Sequence, residues 1–299
     1  MERAIITGAT SFVGFELAKR LIATGVETHV IKRPQSDISR LGGLPSKPQF
    51  HDYDGSVVSL QKAFTASRAD TVFHIAGKYA RVHESADIDT LIDANLRFGS
   101  HILEAMAIST HPRYLVNTGS YFQYFDHQEM RAVNLYAALK NAFADILDYY
   151  CDATGITALT LVLFDTYGIG DWRHKLMTAI RDAQKAGTPL PVPKEDLLLD
   201  FVYADDVIDA FIAAGILLKT PHSPAPKGRC YAVSSGTPLK ISQLVEKFEV
   251  IGKRPITVEQ GEWPPQDRTI LSPWKGDRLP NWVPQVSIEE GIRRLTGVP

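Results

Sequence analysis

Short apolar runs alternate along the chain with amphipathic stretches of helical period, and the alternation predicts a β–α–β succession. Ala4-Ile5-Ile6-Thr7, Thr28-His29-Val30-Ile31, a run ending at Asp52, Thr71 to Ala76 and Arg113 to Asn117 read as successive strands. They are mostly apolar, as parallel strands covered on both faces must be. Between them, Phe15 to Ile22, about Val57 to Ala66 and about Asp89 to Ser109 carry apolar residues at helical spacing, and another such segment opens at Tyr136. Within that segment Asn141, Asp145, Asp148 and Asp152 form one polar stripe. The wide apolar arcs of these last two helices predict burial on the sheet and against a partner subunit, hence a homodimer. Residues 34–50, with Pro34, Gly42, Gly43, Pro45 and Pro48, predict a loop with at most a short helix. The expected fold class is α/β.

Composition narrows this only by exclusion. A chain of 299 residues, 44% hydrophobic and 22% charged, can bury a large core, and its formal charge of -2 gives no pull toward nucleic acid or an anionic membrane. Cys151 and Cys230 lack the spacing of a disulfide framework or a thiolate metal site, so no metal is expected. No apolar segment approaches the roughly 18 residues of a membrane span. A strand-like run begins directly after Met1-Glu2-Arg3, leaving no room for a signal peptide. A cytoplasmic setting is expected.

The candidate chemistry sits where strands end. Gly8-Ala9-Thr10-Ser11-Phe12-Val13-Gly14 joins the first strand to the first helix, the context in which a glycine turn receives a dinucleotide pyrophosphate. Ser11 stands where such turns carry a middle glycine, and its hydroxyl is a candidate phosphate donor. The second strand ends in Lys32-Arg33, where selection for the unphosphorylated cofactor calls for a carboxylate. Two cations there, with Ser36, suit a 2′-phosphate, so NADPH is expected over NADH; a solvated basic turn is the alternative. Asp52 and Tyr53 are candidate adenine contacts, and Ala76-Gly77 permits backbone approach to the nicotinamide ribose. His74, inside an apolar strand, reads as a core histidine. Thr118-Gly119-Ser120 arrives at the carboxyl end of the fifth strand, with Ser120 either a carbonyl donor or a turn cap. Tyr136 and Lys140 are four apart, so they are neighbours on a helix, and a nearby ammonium favours the phenolate.

Together these segments resemble the extended short-chain dehydrogenase/reductases, the branch of nucleotide-sugar epimerases, dehydratases and reductases. The likeness adds Asn95-Leu96-Arg97-Phe98-Gly99-Ser100, Leu163-Phe164-Asp165-Thr166-Tyr167-Gly168 and Asp200-Phe201-Val202-Tyr203-Ala204-Asp205-Asp206-Val207. It implies a Rossmann, doubly wound parallel sheet over 1–167 plus about 199–235. A smaller C-terminal α/β lobe for a nucleotide-diphosphate sugar would cover about 168–198 plus 236–299. Tyr231 to Ser235 looks like a strand returning to the core. The triad carries over onto Ser120, Tyr136 and Lys140. Gly8, Thr10, Phe12, Val13, Gly14, Lys78, Asn95, Thr118, Phe164 and Thr166 become expected cofactor contacts. Lys78, Tyr121 and Asp165 are expected at the substrate. Leu199 replaces an arginine that touches the diphosphate in the epimerases, so Arg173, Lys175 and Arg268 are candidate substitutes, each otherwise a surface charge. Gly119-Ser120 stands where dehydratases carry an Asp-Glu pair, which disfavours dehydration. The chain looks most like 4-ketoreductases of nucleotide-activated 4-keto-6-deoxy or 3,6-dideoxy sugars, CDP-abequose and paratose synthases among them. An NAD-dependent 4-epimerase and a non-catalytic dinucleotide sensor are the alternatives.

Overall fold

The computed structural model describes residues 1–129, 131–220, 229–261 and 268–298. The chain opens with β1 (Arg3–Thr7), α1 (Phe12–Ala23), β2 (Glu27–Lys32), α2 (Ser39–Gly42), β3 (Gln49–Asp52) and α3 (Val57–Ser67). β4 (Thr71–His74), α4 (Ile88–Ile92), α5 (Phe98–Ile108), β5 (Tyr114–Ser120), α6 (Leu135–Thr154) and β6 (Thr157–Leu163) follow. Beyond them come β7 (Asp165–Tyr167), α7 (Leu176–Ala186), β8 (Leu190–Val192), β9 (Leu198–Leu199), β10 (Phe201–Tyr203) and α8 (Ala204–Leu217). The last elements are β11 (Arg229–Val233), β12 (Leu239–Lys240), α9 (Ile241–Gly252), β13 (Val258–Gln260) and α10 (Ile288–Thr296).

Seven strands form one parallel sheet in the order β11-β6-β5-β4-β1-β2-β3. β1 lies between β2 and β4, so the strand order reverses there and a crevice opens past their carboxyl ends. Successive side chains face opposite ways, and the sheet therefore feeds two cores. On one face Ala4, Ile6, Phe73 and Val116 pack with Leu17 and Leu21 of α1 and with Val207 and Phe211 of α8. On the other, Ile5, Val72, Leu115 and Ala158 meet Phe64 of α3, Met106 of α5, and Phe143 and Leu147 of α6. Burial on both faces is what writes apolar runs, not alternation, into these strands.

A third core joins Met177 and Ile180 of α7, Val192 of β8, Leu244 and Phe248 of α9, and Ile292 and Leu295 of α10. β10 pairs with β7 outside the main sheet and stitches the cores together: Phe201 and Tyr203 enter the third, Val202 the first. Asp206, 2% exposed at the start of α8, accepts the Gln285 and Val286 N–H groups at 2.9 and 3.0 Å. That carboxylate pins the segment leading into α10. Leu199 pairs through β9 with β12 and packs on the third core.

Two helices differ from expectation. The one expected from Asp89 to Ser109 is interrupted by a π-helical turn over Asp93–Arg97. That turn carries Asn95, whose side chain accepts from Lys78 N at 3.2 Å and donates to Lys78 O and Leu91 O at 3.0 Å. Such turns commonly mark functional positions, and this one braces the loop after β4. In α6, Asn141 is buried and accepts from Gln123 Nε2 at 2.8 Å, so the exposed stripe holds only Asp145, Asp148 and Asp152 of the expected four. No helix among the described residues is long and apolar enough to cross a membrane.

Candidate active site

The glycine turn is fixed by space as much as by dihedral. Gly8 has φ +72°, and a Cβ there would lie 2.6 Å from Ala76 N; one on Gly14 would lie 2.2 Å from Gly8 O. Neither position tolerates a side chain. Ser11 Oγ donates to Gly8 O at 2.8 Å and accepts from Gly14 N at 3.2 Å. The hydroxyl expected to reach a phosphate is thus used to close the turn and cap α1. Phe12 and Val13 are buried behind the turn while Thr10 is exposed at its rim. The first N–H groups of α1 have no helical acceptor and suit an anion.

Across the crevice, Ser120 ends β5 and Tyr136 opens α6. Asn134 caps that helix, accepting from Ala137 N at 3.0 Å and donating to Ala80 O at 3.2 Å, which sets Tyr136 in the first turn. One turn on, Lys140 Nζ donates to Thr118 O at 2.6 Å and stands 5.5 Å from the Tyr136 ring centroid. Burial holds the Lys140 ammonium down to about 8. Burial, reinforced by Tyr79, pushes the Tyr136 phenol well above its ordinary 10, against a hydrogen bond with Ser120 that acts the other way. Lys140 was expected to draw the phenol toward ionisation; burial is instead the largest influence on it and acts toward the protonated form. Ser120 also serves its turn, accepting from Phe122 N at 3.3 Å. His74 shares a 2.9 Å hydrogen bond with Thr7 and is held down to about 3 by burial, a neutral core histidine.

A wall of aromatic and polar groups continues from Tyr136. Tyr79 meets its ring edge-on at 5.3 Å, Lys175 Nζ lies 5.1 Å from the Tyr79 ring, and Asp165 Oδ1 is 4.0 Å from Lys175. Tyr121 stacks on Phe164 at 5.2 Å and donates to Asp165 Oδ2 at 2.9 Å. Thr166 is buried, donating to Phe164 O at 3.4 Å.

The other expected cations are engaged elsewhere. Arg173 grips Asp171 through two bonds of 2.8 Å, donates to Thr166 O and lies over Phe12. Arg268 donates to Ala132 O at 2.6 Å, on the loop before α6. Lys78 reaches Asp87 at 2.8 Å and Thr90 at 2.7 Å, so its backbone, braced by Asn95, is what it offers the crevice.

At the far end of the crevice Lys32 and Asp52 pair at 2.5 Å, which matches the lysine's charge. Tyr53 has its hydroxyl 2.8 Å from His101 and its ring against Phe98. Arg33 and Ser36 line a recess of about 320 Å³ with Thr10, Ser39 and Arg40. Arg40 was passed over in the sequence, where its only signal is a second arginine in the same polar loop.

A dinucleotide fits these residues. The turn presents bare backbone at Gly8 and Gly14, and Thr118 Oγ1, buried beside Lys140, has no hydrogen-bond partner among the described residues. An orphaned buried hydroxyl in a polar crevice calls for a ligand.

Residues 4–222 match the model of the NAD dependent epimerase/dehydratase family. A CDP-abequose synthase of Salmonella typhimurium is 23% identical over 98% of this chain and 97% of its own. A probable UDP-glucuronate 4-epimerase of Rhizobium meliloti is 24% identical over 98% and 95%. The fold matches that of a UDP-glucuronic acid 4-epimerase from Bacillus cereus, solved with UDP-glucuronic acid and NAD. The TM-score is 0.83 at 19% identity, over 99% of this chain and 98% of that one. By the extent of the family match and the doubly wound fold, the chain belongs to the NAD dependent epimerase/dehydratase family of extended short-chain dehydrogenase/reductases.

Proposed function

We propose that the protein reduces the C4 ketone of a nucleotide-activated 4-keto-6-deoxy or 3,6-dideoxy sugar at the expense of NADPH. The observation that carries the reductive reading is the recess beyond β2, lined by the Arg33 and Arg40 guanidinium groups and by Ser36 and Ser39. Such a lining suits a 2′-phosphate, and the exchangeable reduced cofactor of a reductase is usually the phosphorylated one. Likeness to a CDP-abequose synthase supports the same substrate class.

When bound, the reduced nicotinamide supplies the hydride. The turn from Gly8 to Gly14 and the first N–H groups of α1 would hold the diphosphate; Thr118 and Lys140 would hold the nicotinamide ribose. Tyr136 Oη keeps its proton until negative charge grows on the C4 oxygen, then donates it. Ser120 Oγ hydrogen-bonds that same oxygen and fixes its position. Gly119 and Ser120 bring no carboxylate, so nothing on that strand end removes a proton beside the carbonyl. Asp165, held by Tyr121 and flanked by Lys175, accepts from sugar hydroxyls, while Lys175 faces the diphosphate.

An NAD-dependent 4-epimerase is the second reading. It is favoured by the Lys32–Asp52 pair, which removes one cation from the phosphate side, and by the equal likeness to an epimerase. Mixing NADPH with CDP-, dTDP-, UDP- and GDP-linked 4-keto sugars separates the two. Loss of reduced-nicotinamide absorbance with at least one sugar is expected. No loss with any, together with NAD retained on the purified protein, would establish the epimerase. We further propose a homodimer across α5 and α6, supported by the exposure of Ile108 and Tyr149 there.

A further inference from the structure

Trp172 lies in the loop that leaves β7, yet its ring packs on the glycine-turn side of the crevice. It meets Phe12 edge-on at 5.8 Å and Phe15 at 6.5 Å, and the Arg40 guanidinium carbon lies 3.6 Å from its centroid. The residues beside it are anchored: Asp171 is 5% exposed and holds Arg173, which lies 4.8 Å over Phe12. A guanidinium stacked by its face keeps its in-plane N–H donors available. Arg40 makes no ion pair among the described residues and shares its recess with Arg33, Ser36 and Ser39. Asp37, on the same rim, turns its carboxylate to the Ser39 N–H at 2.9 Å and feels the Arg40 charge only at longer range, beyond ion-pair distance.

The geometry points to Trp172 as a positioning residue for cofactor choice, one that aims Arg40 at the 2′-phosphate. This rests on the NADPH reading above. The aiming residue belongs to the segment that begins with Asp165 on the substrate wall, so that one segment sets cofactor choice as well as lining the sugar site.

Calorimetric titration with NADPH and with NADH tests this on the wild-type protein and on Arg33→Ala, Arg40→Ala, Trp172→Ala and Trp172→Phe. The wild type should prefer NADPH. Arg40→Ala should weaken NADPH by about tenfold or more, the scale of a hydrogen bond between charged groups, and leave NADH unchanged. Trp172→Ala should lower the NADPH-to-NADH ratio by roughly threefold, and Trp172→Phe, which keeps an aromatic face, should restore most of it. A purely structural tryptophan would weaken both cofactors alike and leave the ratio intact. If Arg33→Ala erases the preference while Arg40→Ala and Trp172→Ala leave it untouched, Arg40 is not a reader, although the NADPH reading survives. Equal binding of the two cofactors by the wild type overturns both.

Discussion

Burial beside Tyr79 holds the Tyr136 phenol above its ordinary range, while Lys140, drawn to Thr118 O, is held down to about 8. Near neutrality the phenol is therefore protonated and the ammonium charged, the state a ketone reduction needs. Tyr136→Phe should leave folding and NADPH binding intact and lower turnover by about 10²-fold or more, the usual contribution of a general acid. Stopped-flow turnover beside a calorimetric titration checks both halves. For Lys140 the sign follows from its position below the ordinary 10.5: the charged form is present below about pH 8 and lost above it. kcat/KM, which reports the free enzyme, should fall as pH rises through about 8, and Lys140→Met should remove that limb from the profile. The same depression makes the unfolded chain hold the proton longer, so this group alone raises stability from about pH 8 to 10.5. Residue types at strand ends were readable because a doubly wound sheet sends strand ends to the ligand. What each side chain touches was not. Ser11, Lys78, Asp52, Tyr53 and Arg173 were all expected at a ligand, and each has its polar group engaged within the protein.

At the scale of elements, the strands through β5 and their intervening helices were readable from the apolar runs, since burial on both faces leaves no room for alternation; β6 was not singled out. The π turn at Asp93–Arg97 was hidden, because its cause is a contact between Asn95 and the distant Lys78 backbone. The Asp206 bracket was hidden for the same reason: its partners Gln285 and Val286 lie 79 and 80 residues away. Asp200-Phe201-Val202-Tyr203-Ala204-Asp205-Asp206-Val207 nevertheless stood out as a family segment, and its β10 and Asp206 tie the third core to the first. Asp206→Ala removes the acceptor of two part-buried N–H groups and should cost about 2 kcal/mol, seen as a lower urea midpoint. An unchanged midpoint would show that the C-terminal segment holds itself in place.

At the scale of the molecule, the apolar arcs of α5 and α6 are spent on the sheet, and α6 turns Asp145, Asp148 and Asp152 outward around Tyr149. The proposed dimer would bring these carboxylates close to their symmetry mates. Its association should tighten as salt screens them, measured by light scattering across ionic strength, and a monomer at micromolar concentration in high salt contradicts it. The proposed reductase and the alternative epimerase differ in how they use the cofactor: one consumes it, the other keeps and recycles it. The most direct measurement gives the protein NADPH deuterated on the hydride that is transferred, together with the 4-keto sugar nucleotide it accepts. A reductase leaves one oxidised cofactor per turnover and deuterium at C4 of the product, read by proton NMR, and this is the expected result. Unchanged cofactor with a C4-inverted sugar, formed from a hydroxylated substrate, would contradict it.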